Sequence, residues 1–435
     1  MKVLPALLSG LLFLGVSYTA HGTDWPHWRG PLHNGSTDEK GLPSQIDPSK
    51  DVLWSAPMPG QSSATPIVSG DAVFVVSNDE TQQKVVGFCL DRATGAVRWQ
   101  KVLCEMAVVK TRNNMASCSP VTDGKTSYFL CGAGALFAFD WAGNELWKKD
   151  LRAAYGPISQ QFGFSSSPLL LEGKLYVPLL HGQWETGSGR SSFTDENSFL
   201  ICLDAATGAE VWKHHRRTDA RGESLDSYAS AVPFQSRGVP ALLVQGGDHL
   251  SAHQLSDGAE LWRHTHNAGK ATNWRLIPSP VVAGDLAIGI EPRGGDVFAV
   301  LSGEKKELAY DEAHWILQGP TSDVPSPAIY NGRMYIVTGT KGDLICVDPN
   351  TGQKLWEGDL EPSGRIWASP TVAEDKIYCL DENGQVTIAS VGDTLRVLSH
   401  ADFPSSVCKS TIAIAGGQLF VRTSEMLYCL VGPKG

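Results

Sequence analysis

Arg275 and Arg365 each stand four residues ahead of a Ser-Pro pair, Ser279-Pro280 and Ser369-Pro370. Gln61, Arg112, Asn114, Gln161, Asp226, Tyr228, Asn273, Trp274, Asp323, Trp367 and Lys409 hold comparable places, just ahead of other Ser/Thr-led segments. Arginine grips carboxylates through two parallel N–H donors, and tryptophan stacks on flat rings. If these positions converge, Arg112, Arg275, Arg365 and Lys409 make a basic rim lined by Tyr228, Trp274 and Trp367. Such a rim binds an anionic or planar ligand. Asp226 and Asp323 are available as counter-charges, so the same set also fits a solvated ring of ion pairs.

Other reactive residue types point elsewhere. Of nine cysteines, Cys89, Cys202, Cys346 and Cys429 share one place, just before a turn, where Ala138 and Ala252 stand in other copies. That pattern reads as a small buried residue. Cys104, Cys118, Cys131, Cys379 and Cys408 leave a disulfide pair open. His249/His253 and His264/His266 lack a third ligand at metal spacing, so no metal is assigned. No nucleophile elbow, phosphate loop or zinc-protease helix is present, and no catalytic residue is assigned.

The elements that must position the rim are repeats. A Ser/Thr-Pro pair followed by apolar residues recurs at Thr65-Pro66, Ser119-Pro120, Ser167-Pro168, Ser279-Pro280, Ser326-Pro327 and Ser369-Pro370. Ser230-Ala231-Val232 and Ser410-Thr411-Ile412 are degenerate copies, making eight. Most are followed by an Asp-led turn with Gly and by Trp four residues later, as in Asp91 to Gly95 with Trp99 and Asp204 to Gly208 with Trp212. Trp147, Trp262 and Trp356 keep the same offset from Gly143, Gly258 and Gly352. Proline starts a strand without removing a central ladder bond, and glycine supplies the positive φ of the turn. Four short strands per repeat make a propeller blade. The expected fold is all-β, an eight-bladed β-propeller over residues 52–432. The eighth copy lacks its Trp strand, while Val52-Leu53-Trp54-Ser55 has no blade of its own, so Trp54 is expected to close the ring. The fifth copy and the seventh, with Arg396 at the offset, lack their Trp and are expected to dock weakly at the outer edge. The repeated Trp residues read as packing between blades. Trp184, on a polar insertion in the third copy, is instead a contact candidate.

Residues 1–22 carry one charge, Lys2, and an apolar run from Val3 to Val16, followed by small residues at Ala20 and Gly22. This reads as a signal peptide cleaved near Gly22, with a leader over 23–51 and a periplasmic or secreted location. No later apolar stretch is long enough to span a membrane, so the protein is not expected to be membrane-embedded. Net charge is −10, which disfavours phosphate-mediated nucleic-acid binding.

The Ser-Pro start, the Leu-Asp-x-x-Thr-Gly turn and the following Trp resemble the pyrroloquinoline-quinone-like (PQQ-like) propeller repeat. The leader from Asp24 to Pro31, with Asn34-Gly35-Ser36, is similar to the start of exported members. The resemblance covers nearly all of 24–432. The family includes quinoprotein alcohol dehydrogenases and the BamB-like propeller of outer-membrane barrel assembly. The dehydrogenases carry a disulfide between adjacent cysteines beside the quinone, a carboxylate and amide set for Ca²⁺, and a catalytic Asp. This chain has no Cys-Cys dipeptide, and no local motif maps onto the other residues. PQQ is therefore implied by the family alone. The expectation is an exported, non-catalytic binding or scaffold propeller with a protein partner or a small anionic or planar ligand. A PQQ-dependent oxidoreductase with an altered site is the alternative, and a BamB-like assembly partner a further one; the missing lipidation cysteine counts against the last.

Overall fold

A computed structural model describes residues 24–106, 113–158, 162–184, 191–192, 198–338, 342–403, 405 and 407–432. Eight antiparallel four-stranded sheets stand in a ring, as the eight Ser/Thr-led copies require. The first blade runs outward as Ile67–Ser69, Ala72–Asp79, Lys84–Asp91 and Val97–Glu105. The last is Ala413–Ala415, Gln418–Arg422 and Met426–Leu430, closed on the outside by Val52–Pro57. Trp54 pairs with Cys429 there, so the expected closure is what forms.

Each innermost strand has no neighbour on the axis side, so its first amide needs another acceptor. The next blade supplies a serine. The Thr65 amide donates to Ser119 Oγ at 2.9 Å. The same bond runs from Ser119 to Ser167, Ser167 to Ser230, Ser230 to Ser279, Ser279 to Ser326 and Ser326 to Ser369 at 2.8–2.9 Å. Two hydroxyl-to-carbonyl bonds complete the inner ring, Thr371 to Ile412 at 2.6 Å and Ser410 to Ala64 at 2.7 Å.

An outer ring is built from tryptophans. Asp91 Oδ1 accepts from the amides of Ala93 and Thr94 and from the Thr94 hydroxyl, and Gly95 takes φ 73°. Trp54 lies flat on that turn and donates its Nε1 to Arg92 O at 2.8 Å. A Cβ on Gly95 would sit 2.4 Å from the Trp54 ring, so both the φ and the contact require glycine. Trp99, Trp147 and Trp212 dock likewise on Trp141, Ala205 and Leu255 of the following blades. Trp262 bonds Ser236 and Ser302, and Trp356 reaches Gly392.

The residue opposite each docking Trp is small. Cys429, Cys89, Cys202 and Cys346 face Trp54, Trp99, Trp212 and Trp356, while Ala138 and Ala252 face Trp147 and Trp262. These cysteines are spacers beneath an indole. Burial pushes the Cys89 and Cys429 thiols up to about 12.

The fifth blade corrects the sequence expectation of weak outer docking. A strand at Glu307–Leu308 pairs in parallel with Glu260–Thr265 of the fourth blade. The chain then returns as Trp315–Leu317, and Trp315 docks on Pro349 O at 3.0 Å, opposite Ala299. The insertion moves the Trp away from its usual offset without abolishing it. Replacing Trp315 by Ala should lower urea stability by about 3–5 kcal/mol, as for a buried indole elsewhere. Leu53→Ala, on the exposed side of an outer strand, should stay within about 0.5 kcal/mol. Equal losses would refute the docking role.

The fourth blade and its neighbours bury histidines. Burial drives His249, His253 and His266 well below the usual imidazole range, with Arg216, Arg263 and Lys270 adding to it. His27 and His33 are lowered in the leader. Neither ring nitrogen of His266 has a hydrogen-bond partner among the described residues, and Nδ1 lies 3.9 Å from Glu291 Oε1. Nearby, burial raises Asp248 to about 6 and also raises Glu291. The unfolded chain protonates these histidines below about pH 6.5 while the folded chain does not, so acid favours unfolding. Asp248 and Glu291 act in the opposite sense but are fewer. Urea midpoints should therefore fall from pH 7.5 to 5.5, each histidine contributing about 1.4 kcal/mol per unit below its unfolded pKa. A flat profile would contradict the burial of neutral imidazoles.

Candidate functional site

The inner ring sets where upstream side chains arrive. Tyr228 precedes Ser230 of the fourth blade, Arg275 the fifth, Asp323 the sixth, Arg365 and Trp367 the seventh, and Lys409 the eighth. All six line one cavity of about 420 Å³ at the channel mouth. The convergence expected of Arg275, Arg365, Trp367 and Lys409 is what the fold produces.

Other candidates part from them. Asn114 turns into the wall, donating to Ser63 Oγ at 3.0 Å and accepting from the Ala116 amide at 2.9 Å; its neighbour Asn113 lines the cavity instead. Trp274 does not line the cavity, and its indole N–H is buried without a partner. Asp226 is buried beneath the rim, accepting from the Gly182 amide at 3.0 Å. Gln61 and Asn273 also lie off the lining. Arg112, Gln161 and the Trp184 side chain lie outside the described residues.

The wall is two-sided. Arg275 and Arg293 of blade five, Asp323 of blade six and Glu223 ahead of blade four form a neutral set of ion pairs. Arg275 meets Asp323 at 2.8 Å and Glu223 at 3.7 Å, while Arg293 meets Glu223 at 3.2 Å and Asp323 at 3.5 Å. The Arg275 guanidinium also lies over the Phe162 ring at 5.1 Å. On blade seven, Glu382 accepts from Trp367 Nε1 at 2.8 Å and from the Arg365 amide at 3.2 Å. Burial lowers the Lys409 pKa, with Glu382 opposing the shift. Tyr228 is driven above the usual phenol range by burial, so its hydroxyl stays protonated. Blades one, two, three and eight add hydroxyls: Ser63, Ser117, Ser165 and Thr411.

The floor comes from the leader, a contribution the sequence reading missed. Trp25 exchanges backbone bonds with Val68 of the first blade. The chain then crosses the ring, and Asn34, Gly35 and Thr37 bond Ile329 and Val372 of blades six and seven. Trp28 lines the cavity from this crossing. Next to it, buried Arg29 spans two inner strands, donating to Pro327 O at 2.5 Å and Pro370 O at 3.3 Å. Burial without a carboxylate lowers Arg29 to about 9. Gly35, at φ 83°, leaves the room its guanidinium needs. The crossing makes the cavity one-ended.

A second cluster, His214, His253 and Glu260, sits between blades three and four. Its groups are already engaged. Glu260 holds Arg263 at 2.5 and 2.7 Å, while His253 bonds Gly258 O and Ser251 Oγ.

A family model described as PQQ_2, outer membrane protein assembly factor BamB, matches residues 36–183, 178–309 and 312–427. The chain belongs to this family. A curated relative, a polyvinylalcohol dehydrogenase from Pseudomonas sp, is 26% identical over 394 residues, covering 79% of this chain and 52% of that protein. A second, from Sphingopyxis sp. (strain 113P3), is 27% identical over 81% of this chain and 54% of its own length. The chain thus spans about half the length of these relatives. BamB from Moraxella catarrhalis superposes with TM-score 0.59 at 15% identity, covering 87% of this chain and 97% of that one. A europium-containing methanol dehydrogenase gives TM-score 0.70 at 12% identity, covering 94% and 91%. At these identities the superpositions speak for the fold alone.

The leader's anchor is testable in this PQQ_2 propeller. Arg29→Met strands buried carbonyls, each worth about 1–3 kcal/mol unsatisfied. Thermal midpoint should fall and limited proteolysis should cut earlier within 24–51. An unchanged midpoint with an uncut leader would remove Arg29 from that role.

Proposed function

We propose that the protein is a quinone-dependent oxidoreductase propeller whose channel-mouth cavity holds a planar, carboxylate-bearing quinone of the PQQ class. The carrying observation is the one-ended cavity with the Trp28 floor and the cations Arg275, Arg365 and Lys409 on its wall. The dehydrogenase relatives favour this reading over the non-catalytic scaffold expected from the missing Cys-Cys pair. Flat rings match Trp28, Phe162 and Trp367, and carboxylates match the three cations. Arg275 is 4% exposed, yet its Nε–H has no acceptor among the described residues, and an anionic ligand oxygen would satisfy it.

A bound quinone supplies a two-electron acceptor for oxidising a hydroxyl-bearing substrate. The chain's part is to orient and exclude water: the leader seals the inner end, and Ser63, Ser117, Ser165 and Thr411 offer hydroxyls beside the charged wall. A second reading, ligand binding without turnover, is favoured by one observation. Both cavity carboxylates, Asp323 and Glu382, are held by donors, which lowers their availability as a base.

In this reading the apolar segment before Thr23 directs export. Protein purified from an exporting host and incubated with PQQ should begin near Thr23, retain quinone absorbance through gel filtration, and reduce a dye with alcohols. Retention without dye reduction would select the second reading. Loss of the absorbance would sink the quinone assignment.

A further inference from the structure

The cavity's carboxylates are not disposed to hold a metal. A divalent cation of the calcium class takes six to eight oxygen ligands, with carboxylates foremost. Among the described residues only Asp323 and Glu382 bring carboxylates to the lining. Asp323 is gripped by Arg275 at 2.8 Å and Arg293 at 3.5 Å, and Glu223 behind it bridges the same two guanidinium groups. That set of two cations and two anions is neutral, with the Arg275 side chain 5% exposed; Asp323 Oδ1 is buried with no hydrogen bond among the described residues and has only the 3.5 Å ion pair to Arg293. Opening it for a metal would strand a buried guanidinium, which cannot deprotonate to escape. Glu382 is fixed by two N–H donors from its own blade. The lining amide is spent too: Asn113 Oδ1 accepts from Ser117 at 2.7 Å, and its Nδ2 donates to Phe162 O and Ser165 Oγ at 2.9 and 2.8 Å.

The cationic side is the better endowed. Arg275, Arg365 and Lys409 face the cavity against two committed carboxylates. The Nε–H of Arg275, without an acceptor among the described residues, asks for an oxygen. A metal ion here would meet net positive charge, and a carboxylate would meet donors.

We propose that the cavity holds its planar polycarboxylate ligand by guanidinium and ammonium groups alone, with no divalent or trivalent cation bridging ligand and protein. The proposal rests on the quinone reading above and departs from the calcium set that the PQQ-like resemblance implies. Arg275 and Lys409 take the place of the metal as the fixed positive charges on opposite parts of the wall.

Calorimetric titration of the full chain with PQQ decides it, run in EDTA, in CaCl₂ and in LaCl₃. The expected result is one dissociation constant in all three buffers, agreeing within about twofold. Lys409→Met and Arg275→Gln should each weaken binding in EDTA by about tenfold, as losing a charge-assisted contact does. Thermal midpoints accompany both variants. Should Arg275→Gln fail to fold, Lys409→Met carries the test, and unchanged affinity there overturns the proposal. Binding seen only with Ca²⁺ or La³⁺ overturns it while sustaining the quinone reading. No binding in any buffer overturns both.

Discussion

The serine-to-amide bonds around the axis are the constraint on which the rest depends. An innermost strand leaves an amide facing no ladder partner, and burial makes that amide costly to leave unpaired. Six blades settle it with the hydroxyl of the next, and two hydroxyl-to-carbonyl bonds complete the ring, so the strand starts lock to one another at a fixed spacing. Residues immediately upstream are thereby brought around the channel mouth, and those whose side chains turn inward line it. The site is a by-product of satisfying backbone donors, which is why its members come from all eight blades with no local sequence motif.

The outer ring solves a different problem. Packing between twisted sheets must be tight at the periphery, where blades diverge. A Trp lying on the next turn fills that wedge, with a small residue opposite it, and beneath Trp54, Trp99, Trp147, Trp212 and Trp315 a glycine leaves the room. Cysteine and alanine share that opposite place because both are small and apolar. The thiols are therefore explained by packing, with their high pKa values following from burial. The inner ring fixes positions and the outer ring supplies most of the buried indole area. The leader then closes the floor through one desolvated guanidinium.

Much of this was legible from spacing. Eight Ser/Thr-led starts gave the blade count, and an orphan Trp54 segment gave the closure. What escaped did so for physical reasons. Trp315 is displaced by a strand that pairs back onto the fourth blade, so a fixed offset cannot find it. Asn114 and Asn113 differ by one residue, and neighbouring positions in extended chain face opposite sides. Glu382 enters from the turn between the second and third strands of its blade, not from the strand start. Trp28 and Arg29 belong to a segment with no repeat to assign them a place. The cation rim was readable as a set, but which carboxylates would bind it depended on Arg293 and Glu223, neither of which stands at a strand start.

The rim's charge also runs against the molecule's. An anionic ligand approaching a protein of net charge −10 feels a repulsive field at long range. At physiological ionic strength that field decays over about 8 Å, so the distant carboxylates are screened from the mouth. Inside the cavity the balance reverses, because Arg275 is buried and Lys409 half-buried, and their fields are screened less. Attraction is thus confined to ligands small and flat enough to enter. Size exclusion and charge reversal act together: a large polyanion meets the acidic exterior, while a compact one reaches donors already held in place by the ring. That preorganisation, set by the serine bonds and not by the ligand, is what allows a handful of cations on an acidic scaffold to be selective.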